Sequence, residues 1–191
     1  MVTIKNFISS ILAGIFISIG AIGFLKIGGI LGAVLFSIGL FGICEFGLNL
    51  FTGKVPYISH WNELPYILTI LVGNFIGCSL MLLFPNDLAI DIINTKLNTP
   101  LWFVFILASL CNILIYLAVE SYKENQLLGL VLSIVSFIIC GFEHSIANAC
   151  FILSAKVFKI EIIPYLLTTV LGNAFGGILI FRLRQFIIKV D

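Results

Sequence analysis

Charge is the scarcest commodity in this chain. Only 10% of its 191 residues are Asp, Glu, Lys or Arg, where an ordinary soluble domain carries roughly 25%. So few charges cannot clothe a water-facing surface, and 61% of the residues are hydrophobic, so the chain reads as an integral membrane protein. The net charge of +1 leaves no basic stripe, which excludes nucleic acid as a partner.

Other absences narrow the reading further. The five cysteines (Cys44, Cys78, Cys111, Cys140 and Cys150) are odd in number, lie in apolar stretches and form no Cys-x-x-Cys. They read as buried thiols packing as small hydrophobes, not as a disulfide framework or a metal cluster. No cofactor loop, nucleophile constellation or metal-ligand spacing is present, so neither an enzyme nor a cofactor is expected. The N-terminal apolar run is too long for a signal core, and no small-x-small cleavage site follows it. It reads as a retained first span.

Long apolar runs are what the chain does have. A helix needs about 20 apolar residues to cross the hydrocarbon core. Six candidate spans satisfy this: Phe7 to Leu25, Ile27 to Ile58, Leu64 to Phe84, Pro100 to Ser121, Leu127 to Val157 and Ile162 to Phe181. Pro65, Pro100 and Pro164 sit at span starts, where a missing N–H costs nothing. The second and fifth spans exceed 30 residues; as straight helices they would measure roughly 45 Å, against a core of roughly 30 Å. Both carry polar and small residues near the middle, "CEFGLNLFTGK" (Cys44 to Lys54) and "GFEHSIANACF" (Gly141 to Phe151). Irregular backbone at membrane depth survives only inside protein or beside a water-filled cavity. The expectation is two broken helices meeting near the midplane; the alternative is two long tilted helices.

The halves of the chain also resemble each other. "LPYILTILVGNFIG" (from Leu64) matches "IPYLLTTVLGNAFGG" (from Ile163), and the same offset lays Asn49 on Asn148. With three spans per half, the second copy is inserted upside down. The fold expected is therefore all-α, six transmembrane helices in a 3+3 inverted repeat. One domain covers residues 1–191, with repeat halves at about 1–84 and 100–191. Gly73/Gly77 and Gly172/Gly176 have the GxxxG spacing that lets helices approach closely. Lys5, Lys54, Lys123, Arg182, Arg184 and Lys189 fall on one side and Lys26, Lys96, Lys156 and Lys159 on the other, which favours both termini inside.

Ionisable residues within membrane segments are functional-site hypotheses by default. His144 can donate a hydrogen bond to an anion or exchange a proton near neutral pH; its structural alternative is a buried ring bonded to a backbone carbonyl. Glu143 can fix a half-helix end. Thr52 can face His144 from the opposing break, or cap its own backbone. Asn112 is the sole amide of the fourth span, on the path or between helices. Lys96 reads as a loop lysine by position alone.

These residues carry a resemblance. "NLFTGK" resembles the LFTG/LFTS break, and "GFEHSIANACF" the FEHS-x-A-N break, of the formate/nitrite transporter family. "CNILIYLAVES" and the two glycine-asparagine third spans resemble the same family, so the likeness covers nearly the whole chain. Aquaporins share the plan of six spans with two half-helix breaks, but their Asn-Pro-Ala pairs are absent.

The resemblance implies a homopentamer in a bilayer, each protomer having its own pore for small monovalent anions or their acids, such as formate, nitrite, hydrosulfide or lactate. It makes His144 the central pore histidine and Thr52 the threonine facing it, with Leu50 and Phe51 beside it and Glu143 and Asn148 on the same path. Lys96, sixteen residues before Asn112, matches a lysine lending positive potential near the histidine, and Asn112 matches a path asparagine. Phe36, Ile115 and Phe137 resemble one hydrophobic slit; Leu40, Ala147 and Asn173 resemble the other. Apolar slits strip the anion's water, which makes taking a proton competitive. Lys96 would disfavour a resident cation on His144 by like-charge repulsion.

Two residues depart from the family pattern. Asn49 stands where an acidic residue usually precedes LFT, and Glu45 sits one turn earlier in an apolar span. Glu45 reads as structural, between helices; if it faced the pore, the alternative would be a pathway for ammonium or a neutral solute. The chain also begins without a long tail, so tail gating is expected to be weak or absent. Abundant Ile, Asn and Lys in the soluble segments point to an AT-rich bacterial genome, and the expected location is the bacterial cytoplasmic membrane.

Overall fold

A computed structural model describes residues 3–190, with side chains through residue 188. Every regular element among them is helical. The chain forms α1 (Ile4–Ile27), α2 (Gly29–Glu45), α3 (Phe51–Lys54) and α4 (Leu64–Cys78), which continues as a tighter 3-10 turn over Ser79–Leu83. Then come α5 (Asp87–Leu97), α6 (Leu101–Lys123), α7 (Leu127–Ile139), α8 (Ser145–Ala155) and α9 (Ile162–Val190). Four of these, α1, α4 with its extensions, α6 and α9, are long and apolar enough to cross a membrane. The two overlong spans come in pieces: α2 stops at Glu45 before α3, and α7 stops at Ile139 before α8. This is a multi-pass membrane protein.

The start of α1 and the end of α9 reach the same end of the bundle. Asn49 Nδ2 bonds the Asn6 carbonyl near the start of α1, and Arg182, late in α9, bonds the Ile58 carbonyl. Lys54, Lys123 and Arg184 gather at this end, while Leu25, near the far end of α1, meets Asn86 at the other. Lys189, counted with the first group from the sequence, has its side chain outside the described residues.

The glycine spacing does its packing work through backbone contact. A Cβ on Gly77 would collide with the Ile11 carbonyl oxygen of α1, and one on Gly176 with the Ser109 carbonyl oxygen of α6. α4 therefore rests on α1, and α9 on α6, with nothing but hydrogen between the backbones. α8 occupies the centre: every residue from Ser145 to Ile152 is buried.

Two details depart from the sequence reading. The polar segment from Pro85 to Asn98, which separates the third and fourth candidate spans, contains α5. Asn86 caps it by accepting from the Leu88 N–H at 3.0 Å, and Ala89 and Ile93 bury its apolar face. Lys96 thus sits on a docked helix and not in a loop. Among the thiols, Cys140 is exposed on the outside of α7's end and Cys44 is half-buried, while Cys78, Cys111 and Cys150 are buried; all five are free. Cys140 is the residue after the last turn of α7, before the chain passes through Gly141 to buried Glu143.

Gly176→Val places a branched side chain into the Ser109 carbonyl. Overpacking of this kind costs about 1–3 kcal/mol, so the variant should unfold in detergent at a clearly lower temperature than the unaltered protein. Leu179→Ala, on the exposed face of the same helix, serves as the control and should shift unfolding far less. Equal unfolding temperatures for the two variants would contradict the close approach of α6 and α9.

Candidate functional site

The two helix breaks are built alike. At the end of α2, the Leu48 N–H reaches back to the Ile43 carbonyl at 2.9 Å and the Gly47 N–H to Cys44 at 3.2 Å. At the end of α7, Phe142 reaches Phe137 at 2.9 Å and Gly141 reaches Ile138 at 3.1 Å. Gly47 and Gly141 have φ of 61° and 68°, the left-handed conformation that ends a helix and that glycine adopts without a Cβ clash. Each of these hydrogen bonds in the first break recurs 94 positions later in the second.

Each break is then held by one asparagine from the third span of its own half. Asn74 Oδ1 accepts from the Phe51 N–H at 2.8 Å, and its Nδ2 donates to the carbonyls of Ser10 and Asn49 at 2.7 and 2.9 Å. Asn173 does the same for the second break, accepting from Ser145 N–H at 2.8 Å and donating to Ala108 and Glu143 at 2.8 and 2.7 Å. Tyr66 and Tyr165, one from each "PY" motif, bond the side chains of Asn49 and Glu143 at 3.3 and 2.6 Å.

This geometry corrects a sequence register. Asn49 is the counterpart of Glu143, and Leu50 of His144, whereas the sequence offset laid Asn49 on Asn148. The third spans keep that offset, but the segment between break and third span is longer in the second half. α8 runs 11 residues where α3 runs 4. Pro56 has no N–H to return to the Thr52 carbonyl, so α3 cannot extend as an α-helix.

The breaks meet at Thr52 and His144, whose Oγ1 and Nε2 lie 3.0 Å apart with both residues fully buried. The Ala147 N–H donates to His144 Nδ1 at 3.1 Å, making the imidazole the N-cap of α8. Nδ1 must therefore be unprotonated, which places the proton of the neutral ring on Nε2, facing Thr52. Phe137 stacks on the imidazole, centroids 5.6 Å apart at 22°, and Phe36 meets Phe137 edge-on at 5.9 Å. The cap and the stacked ring together fix the imidazole's orientation.

Glu143 is 1% exposed, and its Oε2 accepts from three donors: Lys96 Nζ at 2.7 Å, Asn148 Nδ2 at 2.6 Å and Tyr165 OH at 2.6 Å. A buried carboxylate persists only with such partners. Lys96 accordingly enters as half of an ion pair, not as an uncompensated positive charge beside His144. The like-charge repulsion expected from the sequence is offset by the carboxylate next to it.

A cavity lies on each side of the Thr52–His144 contact. One, of about 360 Å³, is lined by Lys96, Phe137, Glu143, His144, Ala147 and Asn148 among others. The second, of about 180 Å³, is lined by Leu40, Ile43, Leu50, Gly53, Lys54 and Lys123 among others. The linings match position for position: Phe137 with Ile43, His144 with Leu50, Ala147 with Gly53, Asn148 with Lys54. Neither cavity's lining includes Thr52, but His144 lines the first and Leu50 and Gly53, on either side of Thr52 in the chain, line the second.

Known proteins resemble this arrangement over its full length. A family model described as Formate/nitrite transporter matches residues 1–187. The chain belongs to the formate/nitrite transporter family. An uncharacterized transporter, YwcJ, of Bacillus subtilis (strain 168) is 27% identical over 98% of this chain and 90% of its own. Two solved structures share the fold. A pentameric formate channel with formate bound has a TM-score of 0.86 at 23% identity, covering 98% of this chain and 97% of that one. A formate/nitrite transporter family ion channel has a TM-score of 0.88 at 22% identity, covering 96% and 90%.

The family's expected slits are placed unevenly. Phe36 and Phe137 touch, and Ile115 is buried with them in the same core. Leu40 and Ala147, expected in one slit, line opposite cavities, because Ala147 belongs to the second break and Leu40 to the helix before the first. Asn173 is fully spent on holding the second break. Asn112 Nδ2 bonds the Asn173 carbonyl at 2.7 Å, joining α6 to α9, while its buried Oδ1 and Ser145 Oγ meet no donor or acceptor among the described residues. Glu45 accepts from Tyr122 OH at 2.5 Å and lines neither cavity. Phe51 is buried beside Thr52. Among the described residues no group of three His, Cys, Asp or Glu is placed to hold a metal.

Sequence reasoning missed Asn74, Tyr66 and Tyr165 as holders of the breaks. Their signal was present, since all three lie inside the repeated motif that revealed the two halves.

Lys96→Met leaves the Glu143 charge buried with two donors, a loss of about 3 kcal/mol. Glu143→Gln alone strands the Lys96 ammonium. The double variant removes both charges, so its loss of stability in thermal unfolding should be smaller than the sum of the two single losses. Additive losses would mean that the pair is not coupled.

Proposed function

We propose that this protein carries small monovalent anions, or their conjugate acids, across a bacterial cytoplasmic membrane, with formate, nitrite and hydrosulfide as the substrate class. The observation that carries this reading is the contact of two helix breaks at Thr52 and His144 between two cavities. One protomer holds one such path, and the protomers assemble as a homopentamer, the state named for one of the structural neighbours. Both termini lie on the cytoplasmic side, where the Lys54, Lys123 and Arg184 end of the bundle places its basic residues.

Lys54 draws an anion into one cavity, where Lys123 is paired with Glu120 at 2.7 Å, and the Lys96 of the other cavity is likewise paired with Glu143. Between them the walls are apolar: Leu40 and Leu50 on one side, Phe137 and Ala147 on the other. An anion there loses water that only a fixed donor can replace. His144 Nε2–H and the Thr52 hydroxyl are those donors, and the N-terminus of α8 adds its partial positive charge. A proton shared between anion and imidazole lets the acid form pass the driest point, which makes passage proton-linked. No reacting bond is involved, and the protein acts as a passage, not a catalyst. The ammonium alternative drew on Glu45, which lines neither cavity and whose carboxylate accepts from Tyr122, a lining residue of the second.

Proteoliposomes are the test, using labelled formate, nitrite and hydrosulfide at mildly acidic and mildly alkaline pH, with ammonium as the opposite-charge control. Anion uptake should be present and should rise as pH falls. Thr52→Val, which keeps the shape and removes one hydrogen bond of about 1 kcal/mol, should lower uptake roughly fivefold. Ammonium uptake without anion flux would overturn this reading.

A further inference from the structure

α4 ends at Cys78, and α8 carries Cys150 at its middle; neither thiol lines the two cavities. Both are wholly buried, and their sulfurs lie 3.2 Å apart. Each hydrogen has a place: Cys150 donates to Cys78 Sγ, and Cys78 donates to the Ile146 carbonyl at 3.5 Å. Ser18 of α1 packs against Cys150 Sγ at 3.5 Å, so three helices converge here. The two cysteines are 72 positions apart and belong to opposite halves of the chain. Random burial of small hydrophobes explains Cys111, but it does not require two thiols to face each other across the repeats.

A disulfide bond is about 2.05 Å long. Closing the gap needs the sulfurs to approach by little more than about 1 Å, which side-chain rotation and a slight helix shift supply. We propose that Cys78 and Cys150 form a dithiol site that a small neutral peroxide oxidises to a disulfide, tying α4 to α8 and restricting passage along the path.

The chemistry balances with hydrogen peroxide as oxidant. One thiol sulfur attacks the O–O bond, becoming a sulfenic acid and releasing water. The second sulfur displaces the sulfenic hydroxyl, forming the S–S bond and a second water. Two thiols lose two electrons, and one peroxide becomes two waters. Because both thiols are wholly buried and line neither cavity, the oxidant has to be small and uncharged, as hydrogen peroxide is, and a charged thiol buffer is excluded. Reduction then calls for a neutral dithiol.

The effect on passage follows from what α8 carries. His144 caps its first turn, and Ala147, Asn148 and Phe151 line the larger-volume cavity beside His144. Drawing Cys150 toward α4 moves that wall and removes the Cys78 donor from the Ile146 carbonyl. This consequence rests on the transport reading above; the disulfide itself does not.

The test uses the whole chain with Cys44, Cys111 and Cys140 replaced by Ala, reconstituted in liposomes. Peroxide should abolish both remaining titratable thiols, mass spectrometry should map a Cys78–Cys150 cross-link within one protomer, and dithiothreitol should restore both thiols. Formate uptake should fall severalfold on oxidation and recover on reduction, while adding Cys150→Ser should make uptake indifferent to peroxide. Two thiols that stay titratable, under treatment that oxidises the exposed Cys140 of the unaltered chain, would overturn the site. A cross-link that leaves uptake unchanged would overturn its control of passage. If the reduced protein carries no small acid, the transport reading fails while the thiol count still decides the disulfide. Mapping the cross-link in the unaltered chain answers the same question if the triple variant does not assemble.

Discussion

A helix interrupted inside hydrocarbon exposes backbone donors and acceptors that water cannot reach, and every one left unpaired costs several kcal/mol. The rest of this structure answers that constraint. Gly47 and Gly141 let the ends of α2 and α7 fold back on their own carbonyls. Asn74 and Asn173 then satisfy the restart of the chain, each side chain bonding an N–H and two carbonyls. An amide is suited to this because one group both accepts and donates. The close approach of α4 to α1 and of α9 to α6 brings each asparagine within reach, which is why glycines flank both.

Once the breaks are held, symmetry and its failure shape the candidate site. Equivalent residues line the two cavities, yet the central point is not symmetric: His144 has Leu50 as its counterpart, and Glu143 has Asn49. Polar chemistry is thereby concentrated in the second break. The first contributes Thr52 across the middle, and α5 contributes Lys96 to balance the buried carboxylate. The imidazole cannot turn freely, because capping α8 consumes Nδ1 and Phe137 covers its face. A rigid donor among apolar walls is what the proposed passage of an unhydrated anion needs.

The same burial that encloses the Thr52–His144 contact brings the two repeats into contact elsewhere. Cys78 and Cys150 meet because α8, the most enclosed helix, fills the space between α1, α4 and α9. A thiol pair there is shielded from charged reagents but not from small neutral ones. The proposed passage and the proposed thiol site thus share one helix without sharing a residue.

Hydropathy alone determined that the chain lives in a membrane and that two of its apolar runs are too long for straight spanning helices. These follow from local composition and length, which any window of sequence displays. The repeated "PY" and "GN" motifs showed two halves, and the polar centres of "CEFGLNLFTGK" and "GFEHSIANACF" marked the breaks. Tertiary structure decided the rest. α8 outgrows α3, so one sequence offset could not align breaks and third spans together, and Asn49 found its counterpart in Glu143 only in space. The capped start of α5 lay in a polar stretch that hydropathy treats as a connection. Lys96 with Glu143, Thr52 with His144, and Cys78 with Cys150 are pairs from distant segments, and such pairing depends on how helices cross, which periodicity along one segment does not encode.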